Sequence, residues 1–229
     1  SHSRADGRLP PDCSILFPTH RPPRRRWETG QVTATLRPAR FDERDAQAYA
    51  TYLNAAADGF FAELFGAQWR RIIAQVALVP GHDLSLDNVV MAEVDGRTVG
   101  SCAGGEDAEI PLGLLVRASG WRAIRAAAVW IAGFPTTSWL SKREPGDWNL
   151  QSVAVAPDAR GAGVGAALFA DALGRARAAG ARRMVLDVRV GNDGAKRLYE
   201  RLGMRVMGTS PALTLPGVHR VHRMGIDLT

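Results

Sequence analysis

The sequence predicts an α/β fold: one domain on a mixed, mostly antiparallel sheet flanked by helices, behind a short tail. Three observations carry that prediction. Two apolar runs within Asn88 to Gly104 are joined by Asp95-Gly96, a dipeptide suited to a tight hairpin because both positions tolerate positive φ, so the two strands are antiparallel neighbours. The stretch from Gln151 to Phe169 reads as a strand, a glycine-rich turn and an amphipathic helix. The run Met184 to Val190 is a second strand, followed by a capped helix that closes at Gly203.

The elements follow in order. Residues 1–30 hold Pro10, Pro11, Pro18, Pro22 and Pro23 with few periodic apolar positions, so they cannot bury enough surface to offset the entropy of ordering them. They form a Pro/Arg-rich tail, and the folded domain covers 31–229. Val32 to Arg37 alternates as a strand and stops at Pro38; Asp42 or Asp45 then caps a helix through Ala57. A second helix covers Phe60 to Ala77, its buried stripe marked by Phe61, Leu64, Phe65, Ile72, Ile73 and Val76. Ile110 to Leu140 is undecided: Trp121, Ile124, Ala128 and Ile131 have helical spacing, while Pro135 and Pro145 bracket a loop. After the glycines, Leu168, Ala172, Leu173 and Ala176 line one helical face, with Asp171 and Arg175 paired on the surface and Gly180 ending the helix. The last strands are Met204 to Met207 and His219 to Leu228, and Ala195, Leu198, Tyr199 and Leu202 form the stripe of the helix before them.

Composition narrows the function classes. The 229 residues are 46% apolar and 23% charged, ordinary for a soluble globular chain. A net charge of +6 admits a nucleic-acid partner, but four arginines sit between Arg21 and Arg26 in the tail and the remainder is near balance, which suits a polyanionic cofactor equally well. The apolar patch from Ala126 to Phe134 is too short to span a bilayer, and no signal-peptide pattern opens the chain, so a cytoplasmic protein without a membrane partner is expected. Cys13 and Cys102 give no disulfide framework, which fits a reducing compartment.

Arg160, Gly161, Ala162, Gly163, Val164, Gly165 and Ala166 form the most informative segment. Alternating glycines let successive backbone N–H groups turn toward one point, the following helix N-terminus adds partial positive charge, and Arg160 adds a full one. This is a cradle for a phosphate or diphosphate. A nucleoside-triphosphate loop would need Gly-Lys-Ser/Thr at its end, where this chain has Gly165-Ala166-Ala167. A dinucleotide fingerprint is satisfied in its permissive form, with Asp187 on the next strand, but Pro157 to Arg160 intervene before the first glycine and too little chain follows for a doubly wound sheet. A purely structural turn is the third alternative.

The segment also resembles the acetyl-CoA pyrophosphate loop of the Gcn5-related N-acetyltransferase (GNAT) superfamily. The resemblance extends in order and spacing through Leu36-Arg37-Pro38-Ala39, the Val94 to Gly100 hairpin, the Ser152 to Ala159 strand, the Leu186-Asp187-Val188-Arg189 strand and Asn192 to Met204. It covers about 31–228, least over 108–146. It implies a sheet splayed between strands four and five, acetyl-CoA as co-substrate without a metal, and N-acetyl transfer to a primary amine of unknown class by direct attack. Tyr199 matches the tyrosine near the coenzyme sulfur and becomes the favoured proton donor; the lesser reading of a residue on a helical stripe is core. Asp187 stands twelve residues ahead of it, where the bacterial ribosomal-protein alanine acetyltransferases that this region resembles carry a glutamate base. The other reading of Asp187 is a strand carboxylate paired with Arg189 or with a neighbouring strand. Gln151 holds a position often acidic in the superfamily, leaving Glu106, Asp147 or a water as substitute bases. The backbone of Val153 and Val155 would take the pantetheine arm as an added strand, and Asn192 and Ala195 match positions that contact coenzyme A, although Asn192 also reads as a helix cap.

A non-catalytic acyl-CoA-binding sensor or scaffold is the rival expectation, kept open by Gln151. The protein is expected to be a monomer or homodimer. His82, in the loop after the second helix, could touch substrate but reads rather as a solvated loop residue, and the cluster of tryptophans at 121, 130, 139 and 148 as core, acceptor pocket or dimer face.

Overall fold

The structure, a computed structural model, describes residues 34–106, 112–124, 128, 139, 143–211 and 219–228. The 1–30 tail and most of the undecided stretch, including Trp130, Ile131 and Pro135, lie outside the described residues, as do Cys13, Val32 and Pro216.

Among the described residues, seven strands form one sheet in the order β1-β2-β3-β4-β5-β7-β6. They are β1 (Thr35–Pro38), β2 (Val89–Val94), β3 (Arg97–Gly105), β4 (Asp147–Val155), β5 (Arg183–Arg189), β6 (Arg205–Thr209) and β7 (Val221–Asp227). Every neighbouring pair is antiparallel except β4–β5. The β2–β3 hairpin turns on Asp95 and Gly96 at φ 52° and 71°, the double positive-φ geometry that the dipeptide signals.

Helices α1 (Glu43–Ala56), α2 (Phe60–Phe65), α3 (Trp69–Ala77) and α4 (Leu112–Ser119) precede β4; α5 (Val164–Ala178) and α6 (Asp193–Arg201) follow it. Asp42 caps α1 by accepting from the Asp45 N–H at 2.8 Å. The single helix expected over Phe60 to Ala77 is two helices joined by a 3-10 turn at Gly66–Gln68. Gly66 at φ 64° breaks the run, and the apolar stripe continues across the break because α2 and α3 both pack on the core of Tyr49, Leu53, Ile73 and Met91. His82 is also not solvated. It is 1% exposed, its Nδ1 accepting from the Leu84 N–H and its Nε2 lying 3.2 Å from the Val76 carbonyl, so it pins the loop after α3. Trp148 is core, whereas Trp121 and Ile124 are exposed.

The two sheet faces are distinguished by their contacts. On one, α1 reaches β4 through Tyr49 and β3 through Tyr52, whose hydroxyl donates to the Thr98 carbonyl. On the other, Leu168 of α5 lies against Gly100 and the Arg175 guanidinium stacks 5.3 Å from the Trp148 ring. Trp148 sits so close to Gly104 that a Cβ there would clash with the ring, which is why this position needs glycine. Helix α6 shares the α5 face, with Tyr199 beside Phe169 at 6.1 Å between ring centroids.

Candidate active site

Strands β4 and β5 pair only through Asp147↔Arg183, Trp148↔Met184 and Asn149↔Val185. Beyond Asn149 they part, and a gap opens between Leu150–Val155 and Leu186–Arg189. Two features account for this. The β3–β4 register shifts between Ala103 and Gly104, leaving Gln151 as an extra residue on β4, and such a bulge bends the strand that carries it. At the closed end Asp147 and Arg183 form an ion pair of 2.8 Å, with Asp147 only 4% exposed.

The gap is lined by backbone. Ala156 N–H donates to Val99 O on β3, so by strand alternation Ala154 and Ser152 also face β3, and the main-chain groups of Val153 and Val155 point into the gap. Arg160 Nε donates to the Val155 carbonyl at 3.2 Å, which places its cation at the mouth.

The glycine segment follows directly. Gly161 and Gly163 take φ of 80° and 85°, which only glycine adopts readily, and no atom lies within 4 Å of where either Cβ would stand. Gly163 is the N-cap of the 15-residue α5, with no side chain capping it. The first intrahelical bond runs from Ala167 N to Gly163 O, so the N–H groups of Val164, Gly165 and Ala166 have no intrahelical acceptor. Four features converge: a positive-φ turn, orphan donors, the positive end of a helix dipole, and Arg160. They fit a diphosphate.

Across the gap, Asn192 Oδ1 accepts from Ala195 N–H at 3.1 Å, so both residues take part in capping α6. Tyr199 lies on α6, half-buried against Phe169. Burial first, and the nearby Cys102 second, push its hydroxyl up to about 12, so it remains a proton donor through the neutral range. Cys102 is buried, and that burial pushes its thiol up to about 12 as well.

Asp187 lies on the opposite face from Tyr199, level by strand count with Gln151. Its partner is the neighbouring strand: Arg223, directly across on β7, donates from Nε and Nη2 to its two oxygens at 3.0 Å each. Trp139 covers that guanidinium at 4.5 Å from the ring centroid. Arg189 pairs with Asp58 after α1 at 3.5 Å. The substitute bases are placed elsewhere: Asp147 belongs to the closed end, about 13 Å along β4 from Gln151, and exposed Glu106 follows Gly105, which pairs with Asn149 at that same end.

Three residues of the site carried no readable signal. Tyr49, whose buried hydroxyl donates to Gln151 Oε1 at 3.2 Å, looks from the sequence like one more apolar-stripe residue. Asp58 and Arg223 meet their partners only through tertiary contacts. Among the described residues no group of His, Cys, Asp and Glu could hold a metal ion, and no helix is long and apolar enough to cross a membrane.

The sequence pattern of the acetyltransferase (GNAT) family matches residues 68–204, more than half of the chain. The chain belongs to the GNAT family. Among curated relatives, mycothiol acetyltransferase of Corynebacterium aurimucosum is 36% identical over 76 residues, 33% of this chain and 25% of that protein. A Bacillus subtilis protein provisionally named a [ribosomal protein bS18]-alanine N-acetyltransferase is 37% identical over 62 residues, 27% of this chain and 41% of its own length. The GNAT chain therefore spans less than half of the relatives it matches. Among solved structures, an N-acetyltransferase from Staphylococcus aureus Mu50 superposes with a TM-score of 0.61 at 15% identity, over 84% of this chain and 100% of that one. A Salmonella typhimurium protein provisionally named an acetyltransferase, solved with its cofactor acetyl-CoA, gives 0.50 at 19%, over 86% and 95%. At such identities the likeness is one of fold, including a mixed sheet with one parallel pair.

Proposed function

We propose that this protein transfers an acetyl group from acetyl-CoA to a primary amine by direct attack, with residues 31–229 as the transferase domain. The observation that carries this reading is the parting of β4 from β5 directly above the glycine-lined, uncapped start of α5. An extended arm ending in a diphosphate matches that shape. The orphan N–H groups at 164–166 and Arg160 hold the diphosphate, and the gap-facing main-chain groups of Val153 together with the Val155 N–H pair with the pantetheine amides as an added strand.

Acetyl-CoA supplies an activated acetyl thioester. The chain's own groups move the protons. Asp187, held in place by Arg223, takes a proton from the amine as its nitrogen bonds to the acetyl carbon. The carbon–sulfur bond breaks, and Tyr199 gives its hydroxyl proton to the departing sulfur; both groups reset by exchange with water. Asp187 and Tyr199 flank the gap from opposite faces, so the amine arrives on the α1 face and the thiol leaves on the α5–α6 face. An acyl-enzyme on Cys102 is disfavoured, because that thiol is buried and strongly protonated.

Calorimetric titration with acetyl-CoA and a thiol-release assay over amine classes test the proposal together. Binding with steady thiol release supports it. Stoichiometric binding without turnover of any amine replaces it with the sensor reading, and absence of binding overturns both.

A further inference from the structure

Two ion pairs of different character flank the gap on the α1 face. Asp187 and Arg223 grip each other through two bonds, with side chains 15% and 11% exposed and Trp139 lying over the guanidinium. Asp58 and Arg189 share one contact of 3.5 Å, with side chains 36% and 42% exposed. A pair that long and that open to water contributes little stability and exchanges partners readily. It also forms one wall of a pocket of about 410 Å³, completed by Val190, Gly191 and Asn192.

We infer that Arg189 anchors a carboxylate of the acceptor, and that the acceptor is a small amino-acid-type zwitterion. This deepens the amine-acetylation reading above and rests on it. Arg189 and Asp187 stand two residues apart on β5, on one face and roughly 6.6 Å apart along the strand. An amine and a carboxylate separated by one or two carbons span that distance with a hydrogen bond at each end. The planar guanidinium fork of Arg189 matches a carboxylate. The amine nitrogen meets the lone pairs of Asp187 that Arg223 leaves unused, since a carboxylate offers about four acceptor sites and Arg223 occupies two.

Charge balance points the same way. Asp58 and Asp187 each already have an arginine. A polycationic acceptor brings further positive charge against Arg189 and Arg223. A zwitterion brings its own carboxylate, takes the place of Asp58 on Arg189, and returns the Asp58 side chain to water, where a half-exposed carboxylate is well hydrated.

The test compares kcat/KM for free amino acids, the corresponding amino acid amides, a polyamine, an aminoglycoside and a short peptide with a free N-terminus. Amino acids are expected to exceed their amides by at least about tenfold, because the amide keeps the amine and removes only the anchored charge. Arg189→Met should raise KM for the amino acid about tenfold and erase the acid-over-amide preference while acetyl-CoA affinity stays within twofold. Asp58→Asn should lower that KM by freeing Arg189, an improvement that loss of a merely structural contact would not give. Equal rates for acids and amides, or preference for the polyamine, aminoglycoside or peptide, overturn the inference and leave amine acetylation standing. Failure to release thiol with any amine overturns the acetylation reading itself. Should Arg189→Met not fold, the acid–amide comparison on the unaltered protein and the Asp58→Asn variant decide the matter.

Discussion

Tyr49 donates its hydroxyl to Oε1 of Gln151 across 3.2 Å, fastening α1 to the bulge of β4. Tyr49 is fully buried, and that burial pushes its hydroxyl far above the ordinary phenol value, so it stays neutral and acts as a donor. Gln151 Oε1 is then the acceptor, which fixes which way round the amide sits and leaves its NH2 to other partners. Gln151 is thereby an oriented hydrogen-bond donor on the wall of the gap.

Tyr49→Phe tests that role. The ring still fills its place, so the loss should be limited to about 1 kcal/mol from one buried hydrogen bond, read as a shift of the urea midpoint. Gln151 loses its orientation, and kcat should fall severalfold with acetyl-CoA affinity unchanged. A stable variant with full kcat would show that the orientation of Gln151 is irrelevant to the reaction.

Tyr199→Phe removes the proposed proton donor and little packing, since Phe169 still meets the ring. Turnover should fall by about 10²-fold, the lower end of what general acids contribute, with calorimetric affinity for acetyl-CoA within twofold. Because the hydroxyl is held at about 12, its deprotonation lies outside the accessible pH range. The basic limb of the rate profile of the unaltered enzyme should therefore not turn down near pH 10, as an exposed tyrosine would make it. A decline centred there would contradict the burial argument.

Gly163→Val places a branched side chain at φ 85° in the open mouth of the cradle. The backbone conformation alone costs roughly 1–2 kcal/mol, and the side chain occupies the space toward which the orphan amides point. Acetyl-CoA binding should become undetectable by calorimetry, whereas the circular dichroism spectrum should be retained. Unchanged affinity would move the diphosphate to another part of the molecule.

Much of the fold was legible because it depends on short-range chemistry. Asp95-Gly96 makes its hairpin, Asn192 caps its helix, and the glycines at 161 and 163 turn as their residue type allows. The break at Gly66 leaves no mark in the pattern because the apolar stripe runs on through it, and periodicity cannot distinguish one helix from two that pack on the same core. The burial of His82 is illegible for a related reason: a histidine in a loop shows nothing in sequence of the Leu84 and Val76 backbone groups it bonds. The site divides in the same way. Its cradle is one continuous segment and could be read directly, while its α1 face joins Asp187 to Arg223 and Arg189 to Asp58 across 36 and 131 residues of chain, which no local pattern encodes.

Arg37 of β1 ties the sheet to α1, donating to both oxygens of Asp45 and to Oε1 of Glu93. Hydrogen bonds from Arg37, more than any other influence, hold both carboxyls below their usual values. A carboxyl whose folded value is depressed stabilises the protein fully above its unfolded value, about 3.9 for aspartate and 4.3 for glutamate, and loses that contribution as pH falls through the folded value. Arg37→Met leaves the 1%-exposed Asp45 side chain without its cation, which should cost about 3 kcal/mol at pH 7. The same variant should lose less relative to the unaltered protein as pH falls below about 4, because a protonated Asp45 no longer needs the arginine. Urea unfolding at pH 7 and pH 3 measures both gaps, and a difference that stays constant between them would mean that Arg37 acts through packing rather than charge.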